Sequence, residues 1–310
     1  VIGSKYVYDK NPDYWDQERQ HYESVVLHVQ ATAQTQVNAI QAGQINVAGL
    51  LNNDALDRVE AAGFSTIGAE GNWSGFIIQD RAGKVVPALA DVRVRQAINH
   101  AIDREAMLKS GSNQGLGSVT TQIFLPSSAA YDAALDERYP FDPGKAKQLL
   151  AEAGYADGFS VKTPMFPIGI NATYDLVKQM MADVGITLEY ETLPLQEAIS
   201  AATSPRYGML LFTIGTVMPW EAYTTSVAPD APFNPFKTSD PKVQALADRM
   251  RSGSDADAAA AAKDLNRFLV EQAWFGPITR PQGTLAVDAK TDVVLTKNGS
   301  VLLHNIAPKG

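Results

Sequence analysis

Two stretches, Asp91-Val-Arg-Val-Arg-Gln-Ala-Ile-Asn-His-Ala-Ile-Asp-Arg-Glu105 and Phe141-Asp-Pro-Gly-Lys-Ala-Lys-Gln-Leu-Leu-Ala-Glu-Ala-Gly-Tyr155, decide the reading of this chain. Asp91 is a good N-cap, and Val94, Ala97, Ile98, Ala101, Ile102 and Leu108 recur at the spacing of one buried helix face. The spacing predicts a single helix that runs from Asp91 to a stop at Gly111. In the second stretch Asp142 is the cap and Pro143 sits in the first turn. Ala146, Leu149, Leu150 and Ala153 line the buried side, and Gly154 ends the helix. Read physically, these are two well-signalled helices without chemistry.

Working outward, strand and helix patterns alternate. Residues 24–30, 45–48, 64–67 and 75–79 read as strands, and 35–41 as a short helix stopped by Gly43. A turn-rich Gly71-Asn-Trp-Ser-Gly75 lies between the last two strands. Beyond the signature helices, 159–165, 171–184 and 186–192 form a strand–helix–strand unit, which puts two parallel strands in one sheet. Further patterns are a helix over 194–203, a strand over 207–213, helices over 241–250 and 255–273, and strand-like alternation over 284–303. Such alternation argues for an α/β fold.

The 310 residues are enough for about two domains, and 45% hydrophobic with 19% charged content describes an ordinary folded chain. Net charge is −8 and no Lys/Arg-rich run occurs, so the electrostatic footprint of a nucleic-acid partner is missing. No apolar run approaches the roughly 18 residues of a membrane span. Cysteine is absent, which removes disulfides, thiolate metal sites and thiol nucleophiles.

The wording of the two helices is more specific than their physics. Both segments resemble the signatures of the extracellular solute-binding proteins of ABC importers, in the dipeptide/oligopeptide/nickel-binding family (family 5). Asn11-Pro-Asp-Tyr-Trp15 resembles that family's Asn-Pro-x-Tyr-Trp, and Gln41-Ala-Gly-Gln-Ile-Asn46 its Gly-Glu-Ile-Asp segment. Past about residue 206 the likeness rests on order and pattern. The resemblance implies an α/β, two-lobed, periplasmic-binding-protein-like fold of the class II/cluster C type. In that family the Asn-Pro-x-Tyr-Trp segment lies well inside the chain, so the first lobe is expected to be incomplete here. The implied division is 1–74 as the remnant of lobe I, 75–272 as lobe II, and 273–310 as strands returning to lobe I.

The implied function is a substrate receptor that captures a small solute between two lobes and delivers it to the transmembrane subunits of an ABC permease. The solute would be a peptide, an opine or a peptide-like compound; sugars and metal chelates are further classes in the family. The location would be periplasmic or extracellular, with a lipoprotein anchor as one form, and the full-length protein a monomer. No enzyme activity, cofactor or metal is expected. Two other readings are open: a protein-binding domain derived from the same fold without transport, and a hydrolase with a cleft between α/β domains. The hydrolase lacks a constellation. His21, His28, His100 and His304 are scattered, no Gly-x-Ser-x-Gly elbow exists, and the glycine-rich 111–117 follows a helix and lacks a phosphate loop's Lys-Ser/Thr.

Three segments carry candidate binding residues. Trp73-Ser74-Gly75-Phe76 pairs two large apolar faces with backbone amides beside a glycine, as cleft linings do; its plain alternative is a buried core tryptophan. Leu50 and Asn52 sit on a turn that in relatives reaches the ligand from the first lobe, and read equally well as the approach to a helix cap. The third is Ile214-Gly-Thr-Val-Met-Pro-Trp-Glu-Ala-Tyr223 after a strand, and ligands of open α/β sheets gather beyond strand ends. In peptide-binding relatives this loop reads Gly-Trp-x-x-Asp-Tyr, with the Asp on the peptide's α-amino group. By order, Gly215, Thr216 and Val217 take the backbone-contact positions, with Trp220, Glu221 and Tyr223 following. No Asp lies between Tyr207 and Pro229, so Glu221 substitutes for it or the ligand lacks a free α-amino group. Arg93 and Arg95 are expected to make surface salt links.

Overall fold

The computed structural model describes residues 4–30, 32–50, 53–110, 115–166, 171–194, 197–215, 218–296 and 299–310. Contacts divide the chain into two units, Val1–Gly71 with Gln282–Gly310, and Asn72–Pro281. One strand, Phe275–Val287, runs through the second division point. The second division point falls at Gln282, inside that strand.

In the first unit the strand's latter half is the centre of a small antiparallel sheet. Thr284–Val287 pairs with Val47–Leu50 on one side, and Gln282–Val287 with Ser65–Glu70 on the other. The helices Ala33–Gln41 and Asn53–Ala61 supply Val37, Ile40, Ala55 and Val59 to a core that also holds Ala48, Leu50 and Ala286. Thr32 and Thr35 form a reciprocal capping box on the first of these helices, and Gly43, at φ 67°, takes the left-handed turn that ends it. Two hairpins complete the unit. Lys5–Asp9 pairs with Ser24–His28, and Thr291–Val293 with Ile306–Pro308. The first hairpin is exposed on both faces.

The second unit is built on a sheet buried from both sides, which suits its near-continuous apolar strands. Trp73–Ile78 lies between Met209–Ile214 and the leading half of Phe275–Val287, antiparallel to both. Alternation sends Trp73, Ile77, Leu210 and Phe275 into one core, with the helices Pro241–Ser252 and Asp255–Glu271. Phe76, Ile78, Met209 and Leu211 enter the other, against Val92–His100, Pro143–Glu152 and Asn171–Asp183. The strands Phe159–Met165 and Ile186–Thr192 flank that second core as a parallel pair joined by the Asn171–Asp183 helix.

The predicted single helix from Asp91 is two. Val92–His100 ends at Ala101, and Arg104–Ser110 begins after Asp103, whose Oδ1 accepts the Ala106 amide at 2.9 Å. A second capping carboxylate restarts the helix, and Met107, not Leu108, faces the core. Arg95 also departs from expectation. It is 5% exposed and donates to the carbonyls of Leu89, Ala90 and Gln272. Burial pushes its guanidinium down to about 10. Arg93 does make the salt link, with Asp91 at 2.5 Å.

Candidate functional site

Ser74 faces Thr213 across the central strand pair, as Trp73 faces Ile214. The Thr213 hydroxyl donates to Ser74 Oγ at 3.1 Å. Ser74 is half-buried, while Thr213 and Gly215 are exposed. This is the end of the sheet at which the chain enters the unit, and the loop after Ile214 leaves from it. Thr216 and Val217 lie outside the described residues.

The chain resumes with exposed Met218 and the short helix Pro219–Ala222, which presents Trp220 and Glu221 outward. Trp220 is 40% exposed and its ring sits 5.2 Å from that of Tyr223, tilted by 32°. Tyr223 is buried, and its hydroxyl donates to Gln244 Oε1 at 3.1 Å, so it backs Trp220 rather than facing outward. From Tyr223 to Val227 the helix widens into a π turn, a form common beside functional sites. The Glu221 carboxylate has no hydrogen-bond or ion-pair partner among the described residues. The sheet end thus offers a hydroxyl pair and an exposed glycine, and the short helix that follows in sequence offers one aromatic face and a carboxylate with no partner among the described residues.

The other candidates stand elsewhere. Trp73 is 1% exposed and packs edge-on against Phe275 at 5.6 Å; Phe76 is equally buried in the opposite core. Neither ring is available as a cleft wall in this form, because strand alternation turns each into a core. Gly75 is buried as well. A Cβ there would meet Gly276 O and, at 2.7 Å, Pro277 Cα, so this glycine serves close strand approach at the irregular pairing near Pro277. The Trp73 indole N–H finds no acceptor among the described residues. Leu50 is a core residue of the first unit, opposite Thr284, and Asn52 lies outside the described residues.

Sequence reasoning passed over Thr213, whose signal is its place in register with Ser74, and Met218. It also gave no hint of a groove of about 240 Å³ in the first unit, lined by Tyr8, Tyr14, Arg19, His21, Tyr22 and His304 among others. None of the candidate residues lines it. Among the described residues no three His, Asp or Glu side chains gather as a metal site, and no helix is long and apolar enough to cross a membrane.

A family profile described as bacterial extracellular solute-binding proteins, family 5, middle part, matches residues 1–231. The chain belongs to that family. Among similar proteins, the di/tripeptide-binding protein 3 of Pseudomonas aeruginosa is 26% identical over 211 residues, 65% of this chain and 38% of its own length. The heme-binding protein A of Haemophilus influenzae is 41% identical over 78 residues, 25% of this chain and 14% of its own. The glutathione-binding protein GsiB of Salmonella typhi is 39% identical over 98 residues, 30% and 18% respectively.

Solved structures share the fold. The periplasmic binding protein DppA of Helicobacter pylori, in complex with the peptide STSA, superimposes with a TM-score of 0.83 at 20% identity, over 99% of this chain and 61% of its own. AgaA of A. tumefaciens R10, in complex with agropinic acid, gives 0.81 at 20% identity, over 100% and 65%. The chain thus spans less than two thirds of these solved chains and less than two fifths of the curated relatives.

Proposed function

We propose that this chain supplies part of a substrate-binding receptor for an ABC importer, taking a peptide, opine or peptide-like solute. The observation that carries the reading is the family match over residues 1–231. The named relatives that bind di- and tripeptides, glutathione and agropinic acid support the solute class. In this reading the receptor works outside the cytoplasmic membrane, free or lipid-anchored, and hands its solute to the transmembrane permease without bond chemistry.

The second unit's share of the site is the edge formed by Ser74, Gly215, Trp220 and Glu221, with Thr216 and Val217 between them in sequence. Trp220 offers an apolar face, and removing ligand surface from water there contributes roughly 25 cal/mol per Å². Ser74 and the Gly215 backbone supply directional contacts. The unpaired Glu221 carboxylate suits a cationic group on the solute, since a charge-assisted hydrogen bond is about twice as strong as a neutral one.

Calorimetric titration of the chain, and of the longer protein that contains it, with dipeptides, glutathione, haem and an opine tests the reading. Saturable binding of one class that weakens in Trp220→Ala is the expected result. No heat with any class in the longer protein would overturn it.

A further inference from the structure

One face of the central strand pair changes character at its end. Ile78 faces Met209 and Phe76 faces Leu211, all four buried in one core. The next pair on that face, Ser74 with Thr213, carries hydroxyls instead. Thr279 stands in register with Ser74 from the strand on the other side, so three adjacent strands each bring a hydroxyl residue to this level of the sheet. Thr279 is 4% exposed, Ser74 is half-buried and Thr213 exposed, a gradient from the interior of the unit outward.

Ser74 and Thr213 differ in stiffness. Branching at Cβ restricts χ1 of a threonine on a strand, whereas a serine swings among its rotamers. Thr213 Oγ1 donates to Ser74 Oγ at 3.1 Å. That bond uses the Thr213 proton and one lone pair of Ser74, and it leaves the Ser74 proton over. Among the described residues no acceptor takes that proton. A hydroxyl that already accepts one hydrogen bond is polarised into a better donor for the next.

We infer that Thr213 is a positioning residue for the solute. It holds the Ser74 side chain in one rotamer and turns its proton toward an acceptor oxygen, a carbonyl or carboxylate, on the bound molecule. The inference rests on the reading of this sheet end as part of the solute site. A hydroxyl pair that only joined two strands would affect stability and leave affinity alone. A donor fixed beforehand raises affinity, because its rotamer freedom is lost on folding and not on binding. The pair also selects, since a solute without an acceptor at that point strands the Ser74 proton.

Calorimetry on the longer protein that contains this chain tests the inference, with dipeptides, glutathione, haem and an opine as probes. Thr213→Val keeps the shape and removes the donor. It should weaken binding of the accepted class about fivefold, the worth of one net hydrogen bond. Thr213→Ser keeps a hydroxyl and should retain most of the affinity. Ser74→Ala should weaken binding about fivefold where a carbonyl is the acceptor, and more than about tenfold where a carboxylate is. In the Ser74→Ala background Thr213→Val should change affinity by less than about twofold, because it acts only through Ser74. Affinity that holds in Thr213→Val, falls as far in Thr213→Ser, or falls equally in both backgrounds overturns the inference while the solute site stands. A parent that binds none of the probes overturns the reading of the site as well.

Discussion

The Arg280 guanidinium donates to both carboxylate oxygens of Asp136, each at 3.0 Å, although the two residues lie 144 positions apart. Arg280 is nearly buried, and the Asp136 carboxylate also accepts from the Thr120 hydroxyl at 2.8 Å and the Tyr131 hydroxyl at 2.9 Å. Asp136→Asn keeps the volume and removes the anion, leaving a buried cation unmatched. The expected cost is about 3 kcal/mol in urea unfolding. The double variant Arg280→Met with Asp136→Leu should cost less than either single change, because neither charge is then stranded.

Trp73 lies in the core, and the proposed function puts the half-exposed Trp220 at the solute. Trp220→Ala should change stability by no more than about 1 kcal/mol, given the ring's partial exposure, yet weaken solute binding about tenfold or more. Trp73→Phe loses some volume and also removes a buried N–H that has no acceptor among the described residues. The two effects oppose each other, so stability should move by about 1 kcal/mol or less and affinity should hold. Denaturant melts and calorimetry on the same preparations check both.

Burial pushes the Tyr139 hydroxyl, which donates to Val270 O at 2.6 Å, up from 10.0 to about 12. The unfolded chain releases this proton first as pH rises. The stabilisation is therefore complete below pH 10 and lost on the way to about 12. Tyr139→Phe should show a shallower alkaline loss of stability, by about 2 kcal/mol across that interval, measured by denaturant melts at stepped pH.

The Asp91 cap offers a test on the acid side. Its carboxylate accepts the Arg93 amide at 2.8 Å, and the hydrogen bond from the Arg93 guanidinium holds it below the usual carboxylate range. Asp91→Ala should cost about 1 kcal/mol at neutral pH. The gap between variant and parent should close as acid protonates the cap, because a depressed carboxylate stabilises only above its folded value.

Elements whose signals are local were legible in the sequence. Asp142, Pro143 and Gly154 bracket the Pro143–Glu152 helix, and the strand–helix–strand from Phe159 to Thr192 falls where periodicity and Gly185 put it. The long Phe275–Val287 strand was not, because Pro277 and Pro281 argue against a strand interior. Its pairing tolerates them through an irregularity between Pro277 and Thr279. At the candidate edge Trp220 was readable as an aromatic after a strand end. Trp73 was not separable from a cleft residue, since alternation says which residues share a face and not which faces are covered. Likewise Arg95 looked like a surface cation until its three carbonyl acceptors were in place.

The split first unit also sets an order of events at the ribosome. Val47–Leu50 and Ser65–Glu70 emerge early, but the lane between them belongs to Gln282–Val287. The whole of Asn72–Pro281 is synthesised before that lane can be filled. Two strands therefore wait with open edges while the inserted unit takes shape. This sheet closes only after the inserted unit has been made, and a translational stall before its central strand emerges exposes it to misassembly.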